Sequence, residues 1–510
     1  MSRINGTPKK DDDDDFFNEN DTVPLSDESS NDNSEEQMPI SDEIIYPGLL
    51  LKEYILLKKI GHGNNACVWM TYHIKTDSYR AIKIQDYQCY HDGCREVAII
   101  KTINKYCTEH DGKNIYCVTM LDYFVYEENE KTKFVCSVYD LYAGSIQMLI
   151  NQGKHKYGLP ISTVKQITKQ LLTALVTLHD ELKVIHTDIK PENILFKGTI
   201  TDHLKLIDLF LKSNFKQKYK IIMDIHQNDT KRLTEELEYL ALESVKEICK
   251  FESQIDDDEE FEPDEEDFSE EDYIDDDDDS YESQDSAELF NERRQSVDDI
   301  IEHLDYKTRH DLETEGEYDF DSVLNNRINT TDFKEVVDEK YITNCETALT
   351  DFGNSYFFDK RTKNEVQDRR YRAPEVVLDF NYKYSCDIWS VSCVVFELLT
   401  GFVLFEPIDE PLNKDIHHLF LMEKMLGPIP LKMKRASKRS KFLFDEKRKF
   451  HIKNVEEFNP SPLKIRLIKQ FLFSEKDANE IYNFLMCGLK YEPTERPSAK
   501  NMLKHSWLIN

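Results

Sequence analysis

The sequence predicts an α+β fold in which strands come first and helices follow, with one long acidic insertion interrupting the folded body. Three observations carry this reading. Strand-like apolar runs gather early, in Ile55-Leu56-Leu57, Ala81-Ile82-Lys83 and residues 134–139. Helical spacing takes over later, in Leu171, Leu172, Leu175 and Leu178 and in the apolar stretch over 387–399. Charge comes in blocks: of a formal net −34 over 510 residues, residues 1–45 hold 3 basic and 14 acidic side chains, and residues 198–345 hold 16 and 46. What remains is a mildly basic body of about +7, so the acidity belongs to two appendages.

Residues 1–45, rich in Asp, Asn, Ser and Glu, bury too little apolar surface to offset the entropy of ordering, and are expected to be disordered. The eleven cysteines are odd in number, scattered, and form no C-x-x-C pair. That pattern speaks for reduced thiols in a cytoplasmic or nuclear compartment, and against a zinc site or a disulfide framework. A polar and then acidic start excludes a signal peptide, and no apolar run approaches the ~20 residues that span a bilayer. The expectation is a soluble, intracellular protein without membrane contact.

The motifs stand in a fixed order. Ile60-Gly61-His62-Gly63-Asn64-Asn65-Ala66-Cys67-Val68 follows the first strand; its two glycines let a backbone approach a ligand closely, and Ala66 stands where a third glycine is common. Ala81-Ile82-Lys83 comes next, then Arg95-Glu96-Val97-Ala98-Ile99-Ile100 with helical character. Tyr139-Asp140-Leu141-Tyr142 closes a buried strand. His186-Thr187-Asp188-Ile189-Lys190-Pro191-Glu192-Asn193 is the most specific of them, since eight residues match one pattern after the apolar Val184-Ile185. Asp351-Phe352-Gly353, Arg372-Ala373-Pro374-Glu375 and Arg496-Pro497 complete the set.

With these residues the chain resembles the eukaryotic protein kinases of the CMGC group. The resemblance implies a bilobal protein-kinase fold over 54–508: an N-lobe over about 54–140, built of a small antiparallel sheet and one helix, and a larger, mostly α-helical C-lobe over about 141–508. It implies ATP and Mg2+ as cofactors and protein substrates. Residues 60–68 would cover the nucleotide, with Val68 on the adenine, and Lys83 would pair the α- and β-phosphates, held by Glu96. Tyr139 would sit behind the adenine, while backbone groups of Asp140 and Tyr142 bond its edge. Asp188 would accept the substrate hydroxyl proton, Lys190 would neutralise the γ-phosphate, and Asn193 and Asp351 would hold the metal. Lys190 followed by Pro191-Glu192-Asn193 follows the pattern of serine/threonine kinases. Arg496 would form a buried pair with Glu375.

Asp208 competes with Asp351. Leu204-Lys205-Leu206-Ile207-Asp208-Leu209-Phe210 looks like the strand before a metal-binding Asp, at the ordinary distance from Asp188. Asp351 has the glycine that permits the sharp turn and the expected downstream segment, so it is preferred, and Asp208 is expected at the surface. Between the two lies the 198–345 spacer. Its residues 235–251 have amphipathic spacing and are expected to pack on the body; its acidic tract reads either as a solubilising linker or as a segment that attracts basic partners. Ser253, Ser269 and Ser280 lie among acidic residues, where an acidophilic kinase would find them. The basic run Lys432, Lys434, Arg435, Lys438, Arg439, Lys441 reads as a nuclear-import signal, an anion-binding face or a solvated surface.

Ile185 to Leu195 and Phe473 to Ile481 are most similar to SR-protein kinases, while Asp351-Phe352-Gly353, Ala373-Pro374-Glu375 and residues 419–428 are similar to LAMMER kinases. Both imply Arg/Ser-rich or otherwise basic protein substrates, with no direct nucleic-acid binding and a monomeric enzyme. SR-protein kinases carry acidic docking residues on the helix before Gly427; the corresponding positions here are His417 and Lys424, with Asp415 and Glu423 nearby. The rival reading is a pseudokinase scaffold binding basic proteins through its acidic tracts. The presence of Lys83, Asp188, Asn193 and Asp351 speaks against it. Thr187 stands where most kinases carry an Arg that a phosphorylated activation segment holds. Activity without activation-segment phosphorylation is therefore expected.

Overall fold

The computed structural model describes residues 44–509 except 64, 130, 152–154, 227–228, 259–343, 360–365, 409–412 and 451–461. It opens with strands β1 (Leu50–Leu51), β2 (Tyr54–His62), β3 (Ala66–His73) and β4 (Ser78–Gln85), helix α1 (Tyr90–Glu109), and strands β5 (Met120–Glu127) and β6 (Lys133–Tyr139). The strands form one antiparallel sheet in the order β1-β2-β3-β4-β6-β5. Alternation sorts its side chains by face. Cys67, Trp69, Ile82, Ile84, Cys136 and Val138 bury together on one side; Met70, Ala81 and Tyr139 join the core of Val97 and Ile100 from α1 on the other. Order begins before Tyr54, because Leu50 pairs with Ile55, and Ile45 is buried beneath the sheet edge. A two-residue strand is too short to display alternation in sequence.

The chain then forms β7 (Tyr142–Ser145), α2 (Ile146–Asn151), α3 (Ile161–Val176), β8 (Val184–Ile185) and β9 (Ile194–Lys197). Three helices of the spacer follow: α4 (Thr201–Lys212), α5 (Phe215–Ile225) and α6 (Thr230–Asp258). Beyond them come β10 (Thr347–Leu349), β11 (Tyr356–Phe357), α7 (Pro374–Val377), α8 (Ser385–Thr400), α9 (Lys414–Leu426), α10 (Leu431–Ala436) and α11 (Glu475–Gly488). β10 and β7 flank β9, and β11 pairs with β8, so the small sheets lie where the two lobes join. This two-lobed α+β arrangement is the one the resemblance implies. Among the described residues no helix is long and apolar enough to cross a membrane.

The second lobe is built around α8, whose residues from Cys386 to Thr400 are all buried. Against it lies the pair of Glu375 and Arg496, both side chains inaccessible to water. The guanidinium donates to Glu375 Oε1 at 2.7 Å and Oε2 at 2.6 Å, and further to the carbonyls of Ser385 and Lys490. Such a fork satisfies both carboxylate oxygens, which is what makes a buried ion pair tolerable.

The spacer requires a correction. The run around Leu204–Phe210, expected as a strand, lies inside α4. Seven residues cannot separate a period of 2 from one of 3.6; His203, Leu206, Ile207, Phe210 and Leu211, all buried, follow the helical one. Phe210 packs 4.8 Å from the ring of Tyr72 and 6.4 Å from Tyr79, and Phe215 5.7 Å from Tyr72. Lys216 Nζ reaches Asp77 at 2.6 Å. α6 packs along β2, so closely that a Cβ on Gly48, whose φ is +87°, would lie 2.9 Å from Leu242 Cα. Residues 201–251 carry nine basic and nine acidic side chains, so this folded part is charge-balanced and the acidity lies in the remainder. Of the three serines proposed as phosphorylation sites, Ser253 falls within α6, while Ser269, Ser280 and most of the acidic tract lie outside the described residues. Because Phe210 is 2 % exposed, truncating it should cost about 3–5 kcal/mol. Phe210→Ala should therefore lower the melting temperature by many degrees, whereas an unchanged melt would mean that α4 is not part of the core.

Candidate active site

The β2–β3 turn brings Gly61 opposite Val68 and His62 opposite Cys67, and Gly63 N–H donates to Ala66 O at 2.8 Å. A Cβ added at Gly61 would meet only Val68, at 3.6 Å, and at Gly63 only Ala66 O, at 3.9 Å. No described neighbour forces a glycine at either place, and the space over the turn stays open. Asn64 lies outside the described residues. Ile60, Ala66 and Val68 stay partly accessible, whereas the Cys67 side chain turns into the opposite core beside Ile84 and Cys136. Only its backbone can face the same space as Val68.

β3 and β4 set Val68 beside Lys83, and β4 and β6 set Ala81 beside Tyr139. Lys83 Nζ donates to Glu96 Oε1 and Oε2, both at 2.8 Å, and to Asp351 Oδ1 at 2.8 Å. One ammonium thus joins strand β4, helix α1 and the segment after β10. Burial works against its charge, but the Asp351 and Glu96 carboxylates prevail and hold its pKa well above the ordinary lysine range. Asp351 is in turn pushed down to about 2, first of all by Lys83. Glu96 also accepts from Phe352 N–H at 3.2 Å, and Arg95 donates to Gly353 O at 2.6 Å while lying 5.0 Å from the Tyr356 ring. α1 therefore grips the turn at 351–353 twice.

The loop after β8 is held from below. Asp387, at the start of α8 and fully buried, accepts from the backbone N–H of His186 and of Thr187, each at 2.9 Å, and contacts His179 Nε2 at 2.8 Å. These bonds stabilise Thr187 at φ +65°, a conformation that a β-branched residue rarely adopts. Its hydroxyl donates to Asn354 O at 2.6 Å. His186 Nδ1 accepts from Asp188 N–H at 3.2 Å, which leaves Nε2 to donate to Thr350 O at 3.0 Å. Burial lowers the pKa of this imidazole, in keeping with its neutral bonding pattern. Asn193 Nδ2 donates to Asp188 O at 2.8 Å and Oδ2 at 3.0 Å, and Lys190 Nζ lies 3.1 Å from the same oxygen. The amide oxygen of Asn193 is thereby turned away from Asp188. Together with the second oxygen of Asp351, itself at φ +62°, it offers the hard oxygen donors that suit Mg2+.

Lys83, Glu96, Asp351, Asp188, Lys190 and Asn193 thus meet at the junction of the lobes, below Val68. Tyr139 is buried at the end of β6, Asp140 lies 3.3 Å from Arg80, and Tyr142 begins β7. Asp208 stays on the outer side of α4, 2.6 Å from Lys212. Three contacts escaped sequence reading: those of the Asp387 carboxylate, of Arg95 and of the Thr187 hydroxyl. Asp387 left one signal, a carboxylate in the first turn of a largely apolar helix.

The carboxylates of α9 serve internal contacts. Asp415 binds Arg369 and, at 2.6 Å, Arg439; Glu423 accepts from Lys434 at 2.6 Å and from Ile429 N–H at 2.8 Å. Lys434 lies buried between Phe444 and Phe450, Lys432 pairs with Glu492 at 2.9 Å, and Lys438 with Asp379 at 3.5 Å. Much of the basic run is therefore neutralised by its own fold. Glu397 of α8 accepts from Tyr371 O–H at 2.7 Å, and its carboxyl is pushed up to about 7, mainly by burial.

That shift has a sign. Below about pH 4.5 Glu397 is protonated in both states and changes nothing. Between 4.5 and 7 the unfolded chain ionises while the fold does not, and above 7 the fold bears a penalty of about 3 kcal/mol. Glu397→Gln should therefore melt progressively higher than wild type as pH rises from 5 to 8. A difference independent of pH would remove the titration from Glu397.

The family model described as "Protein kinase domain" matches residues 54–257 and 338–508, leaving out only residues 258–337 within the spacer. A protein of Acanthamoeba polyphaga mimivirus that bears the name of a serine/threonine-protein kinase is 50% identical over 96% of this chain and 93% of its own length. Protein kinase dsk1 of Schizosaccharomyces pombe is 27% identical over 90% of this chain and 80% of its own. The serine/threonine-protein kinase SRPK of Physarum polycephalum is 25% identical over 90% and 86%.

Proposed function

Because this chain belongs to the protein kinase family, as an ATP-dependent serine/threonine kinase, we propose that it phosphorylates basic proteins and does so without phosphorylation of its activation segment. One observation carries the catalytic assignment: Lys83 bonded at once to Glu96 and Asp351, above Asp188 with Lys190 and Asn193 around it. Lys83 binds the α- and β-phosphates of ATP, and Glu96 fixes its position. Asp188 takes the proton of the attacking hydroxyl, and Lys190 compensates charge on the transferred group. Asn193 and Asp351 hold Mg2+, which when bound neutralises phosphate oxygens. Asp140 and Tyr142 present backbone groups to the adenine edge.

The Thr187 hydroxyl supports the second part. In place of a charged side chain awaiting a phosphate, the loop donates a neutral hydrogen bond to Asn354 O. Residues 366–372 contain no serine or threonine, and the Lys83–Glu96 pair stands formed in the unmodified chain. A basic substrate is favoured by the named SRPK relative and by the acidic spacer. Docking of Arg/Ser repeats on α9 is not, because Asp415 and Glu423 are engaged.

Transfer from labelled ATP to a basic protein tests the assignment. Asp188→Ala should lower kcat by about 10²–10⁴; Asp351→Ala should be inactive and Asp208→Ala close to wild type. ATP binding without any transfer by the wild type would instead favour a scaffold. Recombinant enzyme treated with phosphatase should keep its activity; abolition would refute activation-free function.

A further inference from the structure

Arg95 stands just before Glu96 on α1, and the transfer chemistry gives it no part. Its Nη2 donates to Gly353 O at 2.6 Å and lies 2.8 Å from Asp92 Oδ1, one turn back on the same helix. Its Cζ stands 5.0 Å from the centre of the Tyr356 ring. Tyr356 is 1% exposed, and the pairing of β11 with β8 sets it beside Ile185, the residue before His186. The guanidinium is therefore seated on a ring that is itself fixed to the strand leading into the catalytic loop. Arg95 Nε is shielded from water and has no hydrogen-bond partner. Turning to solvent would satisfy that donor, but would forfeit both Gly353 O and the ring.

Two neighbouring residues of α1 thus bind one turn with opposite polarity. Glu96 accepts from Phe352 N–H at 3.2 Å, and Arg95 donates to Gly353 O. A turn held by one bond can rotate about it; held at an amide and at a carbonyl, its orientation relative to α1 is set. That turn carries Asp351, at φ +62°. Asp351 Oδ1 is committed to Lys83, so the direction of the other oxygen follows from the backbone that Arg95 grips. Only unmodified side-chain and backbone atoms take part, and no phosphate is needed to make the contact.

We propose that Arg95 is a positioning residue for metal binding: by clamping Gly353 O it aims the second carboxylate oxygen of Asp351 at the Mg2+ site. The clamp orders this turn from within α1, where a phosphorylated segment would otherwise have to do so. Arg95 acts through Asp351 and not on the nucleotide. The inference rests on the proposed metal-holding role of Asp351 and names the residue that orients it.

The test measures ADP binding to the full chain by calorimetry, once with Mg2+ and once with EDTA. The quantity read is the factor by which Mg2+ tightens binding, with a thermal melt to show that each variant is folded. Arg95→Gln should reduce that factor about tenfold, as loss of an outer contact to a metal ligand does. ADP affinity in EDTA should stay at the wild-type value, because Lys83 and Glu96 remain paired. The variant's kcat should fall and recover in part at high Mg2+, with KM of the protein substrate unchanged. Arg95→Lys keeps a donor for Gly353 O but loses the flat stack on Tyr356, so it should fall between the two; it carries the same comparison if the neutral variant does not fold. An unchanged Mg2+ factor in a folded Arg95 variant would overturn the proposal. Equal losses with Mg2+ and with EDTA would overturn it too, by making Arg95 a general brace for α1. Asp351→Ala separates the two readings: it should bring the Mg2+ factor close to one, and a factor that survived would remove the metal assignment beneath the proposal.

Discussion

Three charges meet at Lys83, and most of the site's geometry follows from how they are shared. An ammonium has three protons to donate, and here Glu96 and Asp351 take them from two sides. Arg95 and Glu96 add direct bonds from α1 to the same turn, at Gly353 O and Phe352 N–H. With both bonded, the position of a helix in the sheet lobe and that of a turn in the helical lobe become one variable. The arrangement is buried enough to be strong, yet Asp351 stays 37% exposed on its cleft side. Its left-handed backbone is held by these bonds rather than by local preference.

The second constraint is Asp387. Buried carboxylates are costly unless every lone pair is used, and this one accepts two backbone amides and contacts an imidazole. In return it fixes the strained turn at Thr187, from which the Asp188 side chain takes its direction. The helical core and the chemistry are therefore not separate layers of the molecule. α8 is rigid because it is buried throughout, and the loop inherits that rigidity through two hydrogen bonds.

Much of this was legible in the sequence where chemistry demands a residue type at fixed spacing. Lys83, Glu96, Asp188, Lys190, Asn193 and Asp351, singled out by their spacing in the sequence, lie together in space. Contacts set by three-dimensional proximity alone left little trace: Asp387 lies about two hundred residues from the amides it holds, and Arg95 reaches Gly353 across a comparable span. Short apolar runs misled in a different way. In 204–210 both periodicities fit, and only the tertiary partners on β3 and β4 select the helix. The α9 carboxylates show the reverse limit, since a sequence counts charges but not whether a neighbouring arginine has already taken them.

The spacer helices have a consequence for motion. α4 leaves the end of β9, in the helical lobe, and its phenylalanine is embedded among tyrosines of β3 and β4, in the sheet lobe. The lobes are thus joined not only through residues 140–142 but also by this aromatic contact, by α6 along β2, and by the bonds of Lys83 and Arg95 to the 351–353 turn. Displacing the sheet lobe against the helical lobe would therefore also have to draw a buried phenylalanine out from among its tyrosines, a resistance that a hinge at 140–142 alone would not offer.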